Sequence, residues 1–333
     1  MRRMTIQAVM LCIAFLFLIA ACEKKDELTV VDQPHPTEEK NTVDESDKKE
    51  KLKIGFSMDT LEEERWLKDK ELFPKAVEAL GAEVEVVVAN ENESLQLSQV
   101  ETLISEGVDL LVIVPYNTES AAAVVEKAHQ AGIKVISYDR LIKNADIDLY
   151  VSFDNEMVGE LQAKAITELV PKGNYVYIGG AITDNNANLL KKGVFKVLKP
   201  YIDQGDITVV YDQWTENWDP EIAYLHMKEA LETNDNNIDA VIAANDGTAG
   251  GAIRALREKG LEGKIPVAGQ DAELSAVQRI VQGNQTMTVY KPISQLTEAA
   301  AELAIKLANN EHIEVTSKIN NGKLEVPAVL LSP

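Results

Sequence analysis

Apolar and polar residues alternate with two different periods along most of the chain. Short runs rich in Val and Ile, typical of buried strands, are followed by longer stretches in which apolar residues recur at helical spacing. In the first half, strands are predicted at 52–58, 84–88, 110–114 and 134–138, and helices at 61–80, 94–106 and 119–131. A glycine closes each of these helices, at Gly81, Gly107 and Gly132. The pattern predicts a parallel sheet that helices cover on both faces.

The same alternation continues from residue 149 towards the C-terminus. Strands are predicted at 149–153, 174–178, 208–211, 239–243, up to 267, and at 286–290, and helices at 157–170, 186–198, 220–232, 248–259, 274–281 and 292–309, before short extended pieces. The whole predicts an α/β protein with two doubly wound parallel-sheet lobes and a cleft between them. This architecture occurs both in enzymes and in binding proteins that close like a clamshell, and the fold alone does not distinguish the two functions.

The first 50 residues depart from this pattern. Arg2 and Arg3 precede an apolar run at 6–19 that is too short to span a bilayer, which predicts a signal peptide over residues 1–21. The run ends in LIAAC, and small residues before Cys22 resemble a bacterial lipobox, in which cleavage leaves the cysteine as a lipidated N-terminus. Residues 22–50 are therefore expected to be a lipidated cysteine followed by a disordered, charged tether.

The composition makes the protein acidic. There are 33 Lys and Arg against 54 Asp and Glu, a net charge of −21, and removal of Arg2 and Arg3 with the signal peptide makes it −23. Such a surface repels phosphate backbones, so nucleic acid is not expected as a partner. It also disfavours an anionic membrane surface, so attachment to the membrane is expected through the lipid on Cys22.

Polar side chains stand at the carboxyl ends of three predicted strands. Asp139 and Arg140 follow KVISY, Asn245 and Asp246 follow DAVIAA, and Asp271 follows IPVAGQ. Ligands bind outside the carboxyl ends of strands in open parallel sheets. We therefore expect these side chains to meet at one cleft.

The candidate residues suit a neutral sugar. Carboxylate, amide and guanidinium groups satisfy hydroxyls, and an indole ring packs on the apolar face of a pyranose. Three aspartates are balanced by two arginines and a lysine, which favours an uncharged ligand. An ordinary salt bridge for Asp139 and Arg140, or a core position for Trp66, would also explain these residues singly. The candidates are Arg65, Trp66, Asp139, Arg140, Asp184, Asn185, Asn186, Trp214, Trp218, Asn245, Asp246, Asp271 and Lys291.

Motifs for several other kinds of site are missing from the sequence. No Gly-rich phosphate loop follows the first strand, and the four histidines lack a cysteine or carboxylate at metal-ligand spacing. No Ser–His–Asp order or activated cysteine stands out either. We therefore expect no metal, no cofactor and no enzymatic activity.

Longer stretches carry a resemblance to a known family. They include VISYDR up to Arg140, VSFDNE from Val151, NDGTAGGAI from Asn245 and QTMTVYKPI up to Ile293. Over residues 52–333 the chain closely resembles the D-xylose-binding proteins of bacterial ABC importers, within the ribose/galactose-type periplasmic binding family. Glu62 departs from the pattern, because it stands where the family often has a basic residue.

The resemblance implies how the lobes and the site are built. Three crossings near 153–154, 290–291 and 316–317 would join a first lobe of residues 51–153 and 290–315 to a second lobe of residues 154–289 and 316–333. The pyranose would be hydrogen-bonded by Arg65, Asp139, Arg140, Asn186, Asn245, Asp271 and Lys291, with Asp184 as a further candidate, and sandwiched by Trp66 and Trp218. Trp214 drops out of the set.

The resemblance also implies a monomer that closes over D-xylose by hinge motion and delivers it to the membrane subunits of an ABC permease. Docking on a membrane sensor kinase, as a xylose-sensing subunit, is the alternative output for the same pocket. A transcriptional repressor shares the two-lobed fold, but the signal peptide and the lack of N-terminal DNA-binding helices argue against one. The preference for xylose over ribose, arabinose or glucose rests on the resemblance alone.

Overall fold

A computed structural model describes residues 51–333 of the chain. The predicted signal peptide, the lipidation site at Cys22 and the tether lie outside the described residues. The strands are β1 (Lys53–Met58), β2 (Glu83–Val88), β3 (Leu110–Ile113), β4 (Lys134–Tyr138), β5 (Leu149–Phe153), β6 (Gly173–Ile178), β7 (Ile207–Gln213), β8 (Ala240–Ala243), β9 (Val267–Gln270), β10 (Met287–Val289), β11 (Ser317–Asn320) and β12 (Glu325–Leu331).

Nine α-helices alternate with these strands in residues 51–333 and cover the sheets. They are α1 (Glu64–Ala79), α2 (Glu93–Ser105), α3 (Ala122–Gln130), α4 (Asn155–Leu169), α5 (Asn185–Asp203), α6 (Pro220–Thr233), α7 (Asp246–Glu258), α8 (Leu274–Val281) and α9 (Ile293–Ala308). Within this described part of the chain, none of them is both long and apolar enough to cross a membrane.

The first lobe is built on a seven-stranded sheet in the order β11-β12-β5-β4-β3-β1-β2. One face packs against α1 and α9 around an aromatic cluster of Phe56, Phe73 and Tyr138. The other face packs against α2 and α3. Because helices cover both faces, the central strands are apolar at nearly every position, and this produces the continuous apolar runs of the sequence.

The second lobe is built on a five-stranded parallel sheet in the order β10-β9-β8-β6-β7. One of its faces packs on α4 and α5, and the other on α6 and α7. Glycines let α4 and α5 approach closely: a Cβ at Gly159 would lie 2.1 Å from the carbonyl oxygen of Leu190. The expected α/β fold with two wound lobes is confirmed.

The C-terminal segment corrects the expected lobe boundaries. β12 pairs in parallel with β5, and β11 pairs antiparallel with β12, so these strands complete the sheet of the first lobe. The assignment of residues 316–333 to the second lobe, with a crossing near 316–317, is therefore wrong. The physical reason is that β5 offers an open sheet edge, which β12 covers while burying Val326 and Ala328. In residues 51–333 the chain passes between the lobes twice, after β5 and after β10.

Candidate functional site

One cavity between the lobes brings the predicted site residues together. It contains about 310 Å³ of space free of protein atoms, a figure that includes space open to solvent. We name it the interlobe cavity. It is lined by the ten predicted residues, Arg65, Trp66, Asp139, Arg140, Asp184, Asn186, Trp218, Asn245, Asp271 and Lys291, and by Glu63 and Gln270.

Local backbone structure aims several of these side chains. Asp139 and Asp271 directly follow β4 and β9 with φ of +58° and +97°, and Trp218 has φ of +58° in the turn before α6. Non-glycine residues seldom adopt this left-handed region, and their clustering here is typical of a functional site. Asp184 and Asn245 cap the N-termini of α5 and α7, so hydrogen bonds from the helix backbone fix both side chains.

On the first-lobe side, a buried ion pair joins two predicted residues. Arg65 Nη2 lies 2.9 Å from Asp139 Oδ2, and Arg65 Nε lies 3.5 Å from Asp69 Oδ2. Asp69 also accepts a short hydrogen bond from the Tyr138 hydroxyl. Burial alone would raise the pKa of Asp139, but Arg65 and Lys291 outweigh it and hold that pKa below its ordinary value. Asp139 is therefore a buried carboxylate that stays charged and accepts hydrogen bonds.

Arg140 holds three carboxylates at once. Its Nη1 lies 2.5 Å from Asp59 Oδ2, its Nε lies 2.9 Å from Asp184 Oδ2, and its Nη2 lies 3.6 Å from Glu63 Oε1. Burial would lower the pKa of Arg140, but Asp184 and Asp59 raise it above the ordinary value of an arginine. The guanidinium carbon also lies 5.2 Å from the centre of the Trp66 ring. Arg140 is therefore a permanent positive charge at the centre of the cavity wall.

Contacts across the cleft show that the two lobes are closed on each other. The pair between Arg140 and Asp184 joins the first lobe to the second, and Asn186 Nδ2 donates to Asp139 Oδ1 over 3.0 Å. At the rim, the backbone N–H of Leu274 donates to Glu64 Oε2 over 3.0 Å. Residues from both lobes therefore enclose the cavity in this closed form.

The cavity wall carries buried polar atoms that have no hydrogen-bond partner within the described residues. Nε1 of Trp66 and Nε1 of Trp218 are donors, and Gln270 Oε1 and Glu63 Oε2 are acceptors. Unpaired buried polar groups are costly, and they mark places where a ligand supplies the partner. A ligand rich in hydroxyls can serve both kinds of group, because each hydroxyl donates and accepts.

Lys291 closes the wall at the second crossing between the lobes. Its Nζ lies 2.8 Å from Asp271 Oδ1, and both side chains are buried. Nearby, Asn245, which also lines the cavity, accepts through Oδ1 from the backbone N–H of Thr248. Among residues 51–333, no group of His, Cys, Asp and Glu is arranged to hold a metal ion.

Three other candidates from the sequence lie elsewhere. Trp214 does not line the interlobe cavity; it packs on Gly179, and the Lys191 ammonium lies 4.6 Å from its ring centre. Asp246 lies beneath the cavity, where Gln285 and Thr288 donate to it, and burial followed by the charge of Asp271 raises its pKa to about 7. Asn185 begins α5 beside the cavity residue Asn186 but is not among the lining residues.

Sequence reasoning missed two residues of the cavity wall. Gln270 is the last residue of β9, one position before Asp271, so the strand-end argument was enough to find it. Glu63 lies in the run Glu62-Glu63-Glu64, and nothing in the sequence distinguishes the member of that run that lines the cavity from its two neighbours. Its position follows only from the way the chain enters α1.

Two wound lobes closed over a polar cavity with indole rings define a solute-binding protein. The model of the family described as "Periplasmic binding protein domain" matches residues 54–312, and the chain belongs to this family. The family consists of binding proteins rather than enzymes, in agreement with the expectation from the sequence.

Several known proteins are similar to the chain over most of its length. The D-xylose-binding periplasmic protein of Escherichia coli strain K12 is 54% identical over 282 residues, 85% of this chain and 86% of that protein. The protein of the same name from Haemophilus influenzae strain Rd is 54% identical over 282 residues, 85% of each chain. A crystal structure of an ABC transporter solute-binding protein from Clostridium phytofermentans with bound β-D-glucose matches with a TM-score of 0.79 and 31% identity, over 84% of this chain and 92% of that one.

Proposed function

We propose that the protein binds D-xylose in the interlobe cavity and delivers it to an ABC permease on the outer side of the cell membrane. One observation carries the proposal: the ten side chains expected to hold a pyranose line a single closed cavity between the lobes. Two relatives with 54% identity that are named for D-xylose support the choice of sugar.

In this proposal each lobe supplies half of the sugar contacts. Arg65, Trp66 and Asp139 belong to the first lobe, whereas Asn186 and Trp218 belong to the second. A sugar that touches both sets stabilises the closed arrangement over an open one, because only the closed form makes all the contacts. Charged groups paired with one another lower the cost of desolvation, and sugar hydroxyls satisfy what remains.

Isothermal titration calorimetry with D-xylose, D-ribose, L-arabinose and D-glucose tests the proposal. We expect D-xylose to bind with a dissociation constant of about 1 μM, equivalent to about −8 kcal/mol. D-Glucose is the informative competitor, since the structural relative from Clostridium phytofermentans holds it. No heat with any of the four sugars would refute a pentose-binding function, and tighter binding of D-glucose would correct the substrate.

We further propose that Cys22 is lipidated after removal of residues 1–21 and anchors the protein to the membrane. The small residues before Cys22 and the apolar run at 6–19 support this. Expression of the full chain in a bacterium, followed by detergent phase partitioning, tests the anchor. The wild type is expected in the detergent phase and Cys22→Ser in the aqueous phase. The proposal of an anchor fails if wild type and variant partition alike.

A further inference from the structure

Glu63 occupies a position that the sugar site described so far does not use. It is the residue before α1, and its side chain lines the interlobe cavity together with Arg140 and Trp218. Its Oε1 lies 3.6 Å from Arg140 Nη2, which is too long for a hydrogen bond. Its Oε2 is buried and has no partner among the described residues. A buried carboxyl oxygen without a partner needs either a proton of its own or a hydrogen-bond donor supplied by a ligand.

Glu63 also upsets the charge balance that the sequence predicted for the site. The carboxylates in or directly behind the cavity wall are Asp59, Glu63, Asp69, Asp139, Asp184 and Asp271. Within residues 51–333, only three bases, Arg65, Arg140 and Lys291, face these six acids. Arg140 is already engaged by Asp59 at 2.5 Å and Asp184 at 2.9 Å, so Glu63 is the carboxyl group with the weakest compensation.

The space outside the cavity adds more negative charge. An outer vestibule shares Glu63, Trp218 and Asn245 with the interlobe cavity. Its other acidic lining residues are Glu62, Glu64, Glu91, Glu216, Asp219 and Glu273. Among the described residues no Lys or Arg lines it. Nothing in the vestibule therefore offsets the charge of an ionised Glu63.

We propose that Glu63 is a further sugar-contacting residue, and that closure of the lobes over the sugar transfers one proton from solvent to its carboxyl group. This inference rests on the proposed function. The protonated carboxyl group then has an O–H that donates to a sugar oxygen. The proton comes from water or buffer, and no bond of the sugar changes.

The charged and titratable groups that surround Glu63 agree with proton uptake. Burial raises the pKa of Glu63 from its ordinary 4.5 to about 7, Arg140 and Arg65 lower it, and Asp59 raises it further. Trp218 and Asn217 of the second lobe line the same spaces as Glu63, so we expect closure of the lobes to increase its burial. The groups facing it are Arg140, Asp59, Arg65, Asp184, Glu91, Tyr116, Glu216 and Asp219.

Each of the other carboxyl groups with a raised pKa lacks one of the features found at Glu63. Asp69 is held by Arg65 and Tyr138 within the first lobe, so closure leaves its hydrogen-bond partners unchanged. Burial raises the pKa of Glu273 to about 7, but this residue lines the vestibule and not the interlobe cavity. Burial also raises the pKa of Asp184, which lines the cavity, but Arg140 lies 2.9 Å from its Oδ2 and the backbone N–H of Asn186 donates to its Oδ1. Glu63 differs from Asp184 because its Oε2 has no partner within the described residues.

The sign of the pH dependence follows from these values. If Glu63 has the ordinary glutamate pKa of 4.5 when the lobes are open, its pKa of about 7 in the closed form means that the closed form binds the proton more tightly. Sugar affinity is therefore highest below about pH 5, falls by up to about tenfold per pH unit towards pH 7, and levels off above that. The dissociation constant is expected to be on the order of 50-fold larger at pH 8 than at pH 5.

Calorimetry in two buffers with different ionisation enthalpies counts the protons taken up when D-xylose binds. At about pH 6.5 the wild type is expected to take up roughly 0.7 proton per sugar, and at about pH 8.5 almost none. Glu63→Gln keeps the shape and polarity of the side chain, and it should lose most of the uptake and flatten the pH profile. Glu62→Gln, at the exposed neighbouring position, is the matched control and should retain both.

The outcomes separate this inference from the proposed function. Wild-type protein that binds D-xylose without proton uptake overturns the inference alone, and this measurement needs no variant. Uptake in Glu63→Gln equal to that of the wild type also overturns it. Wild-type protein that binds none of the sugars at any pH removes the proposed function, and the inference with it.

Discussion

The ion pair between Arg140 and Asp184 gives the sharpest test of how the lobes close. Arg140 follows β4 in the first lobe and Asp184 caps α5 in the second, so their 2.9 Å contact exists only when the cleft is shut. The substitution Asp184→Asn removes the charge but keeps the volume and the capping ability, since asparagine is as good an N-cap as aspartate. It should therefore weaken closure without unfolding either lobe.

The expected magnitude follows from the burial of the pair. Breaking one side of a buried charge pair typically costs about 2–5 kcal/mol of binding free energy. Burial raises the pKa of Asp184 even though Arg140 lowers it, so desolvation offsets much of the attraction. Arg140 also keeps Asp59 at 2.5 Å. The lower end of the range applies, and about 2 kcal/mol corresponds to a roughly 30-fold increase in the dissociation constant for D-xylose.

Calorimetry at neutral pH measures that change, and thermal unfolding without sugar measures the folded stability. Asp154→Asn is the matched control, because Asp154 caps α4 by accepting from the backbone of Met157 over 3.0 Å and makes no ion pair with the first lobe as far as the structure describes the chain. We expect its affinity to stay close to that of the wild type. If Asp184→Asn binds D-xylose as tightly as the wild type does, the cross-cleft pair does not contribute to closure and the reasoning fails.

Three further predictions concern the cavity wall and the helices behind it. Trp218→Ala removes one ring from the proposed sandwich and should weaken D-xylose binding by about 1–3 kcal/mol. Titration with D-xylose should also change the tryptophan fluorescence less than it does in the wild type. An unchanged affinity would place the ring outside the site. Burial raises the pKa of Asp69 from 3.8 to about 6, so stability should fall as pH rises from about 4 to about 6 and level off above that. Urea unfolding of Asp69→Asn should not show this fall in stability with pH. A pH profile equal to that of the wild type would contradict the assignment of the fall to Asp69. Gly159→Ala would place its Cβ 2.1 Å from the carbonyl oxygen of Leu190 and should destabilise the second lobe by about 1–3 kcal/mol in urea unfolding. The control Gly247→Ala, whose Cβ would have its nearest neighbour at 3.5 Å, should change the stability little. Equal stability of the two variants would argue against tight packing of α4 on α5.

The sequence predicted the two-lobed fold and most of the cavity because both depend on short-range patterns. Strands buried on both faces are continuous apolar runs, and their carboxyl ends are marked by residues such as Asp139, Asn245 and Asp271. The same rule applied one residue earlier would have included Gln270. Trp214 follows β7 in the same way, yet it packs on Gly179 instead, since a strand-end position does not fix the direction of a side chain.

The parts that the sequence did not predict depend on long-range packing. The run at 325–331 is as compatible with one sheet as with the other until its pairing with β5 is known. Glu63 differs from Glu62 only because the turn into α1 points it at Arg140, and a single sequence contains no signal for that direction. The sequence therefore predicted equal numbers of acids and bases in the site, whereas the structure places more acids than bases there.

The pairing of β12 with β5 has a consequence for the order in which the chain acquires its structure during synthesis. The second lobe is contiguous, from Asn155 to Val289, and has its own sheet and core, so it has all its parts before the ribosome reaches α9. The first lobe begins earlier but lacks α9 and the edge strand until Leu331 has been made. The half that is translated first is thus the half that matures last, and a nascent chain would carry an uncovered β5 edge that chaperones can recognise.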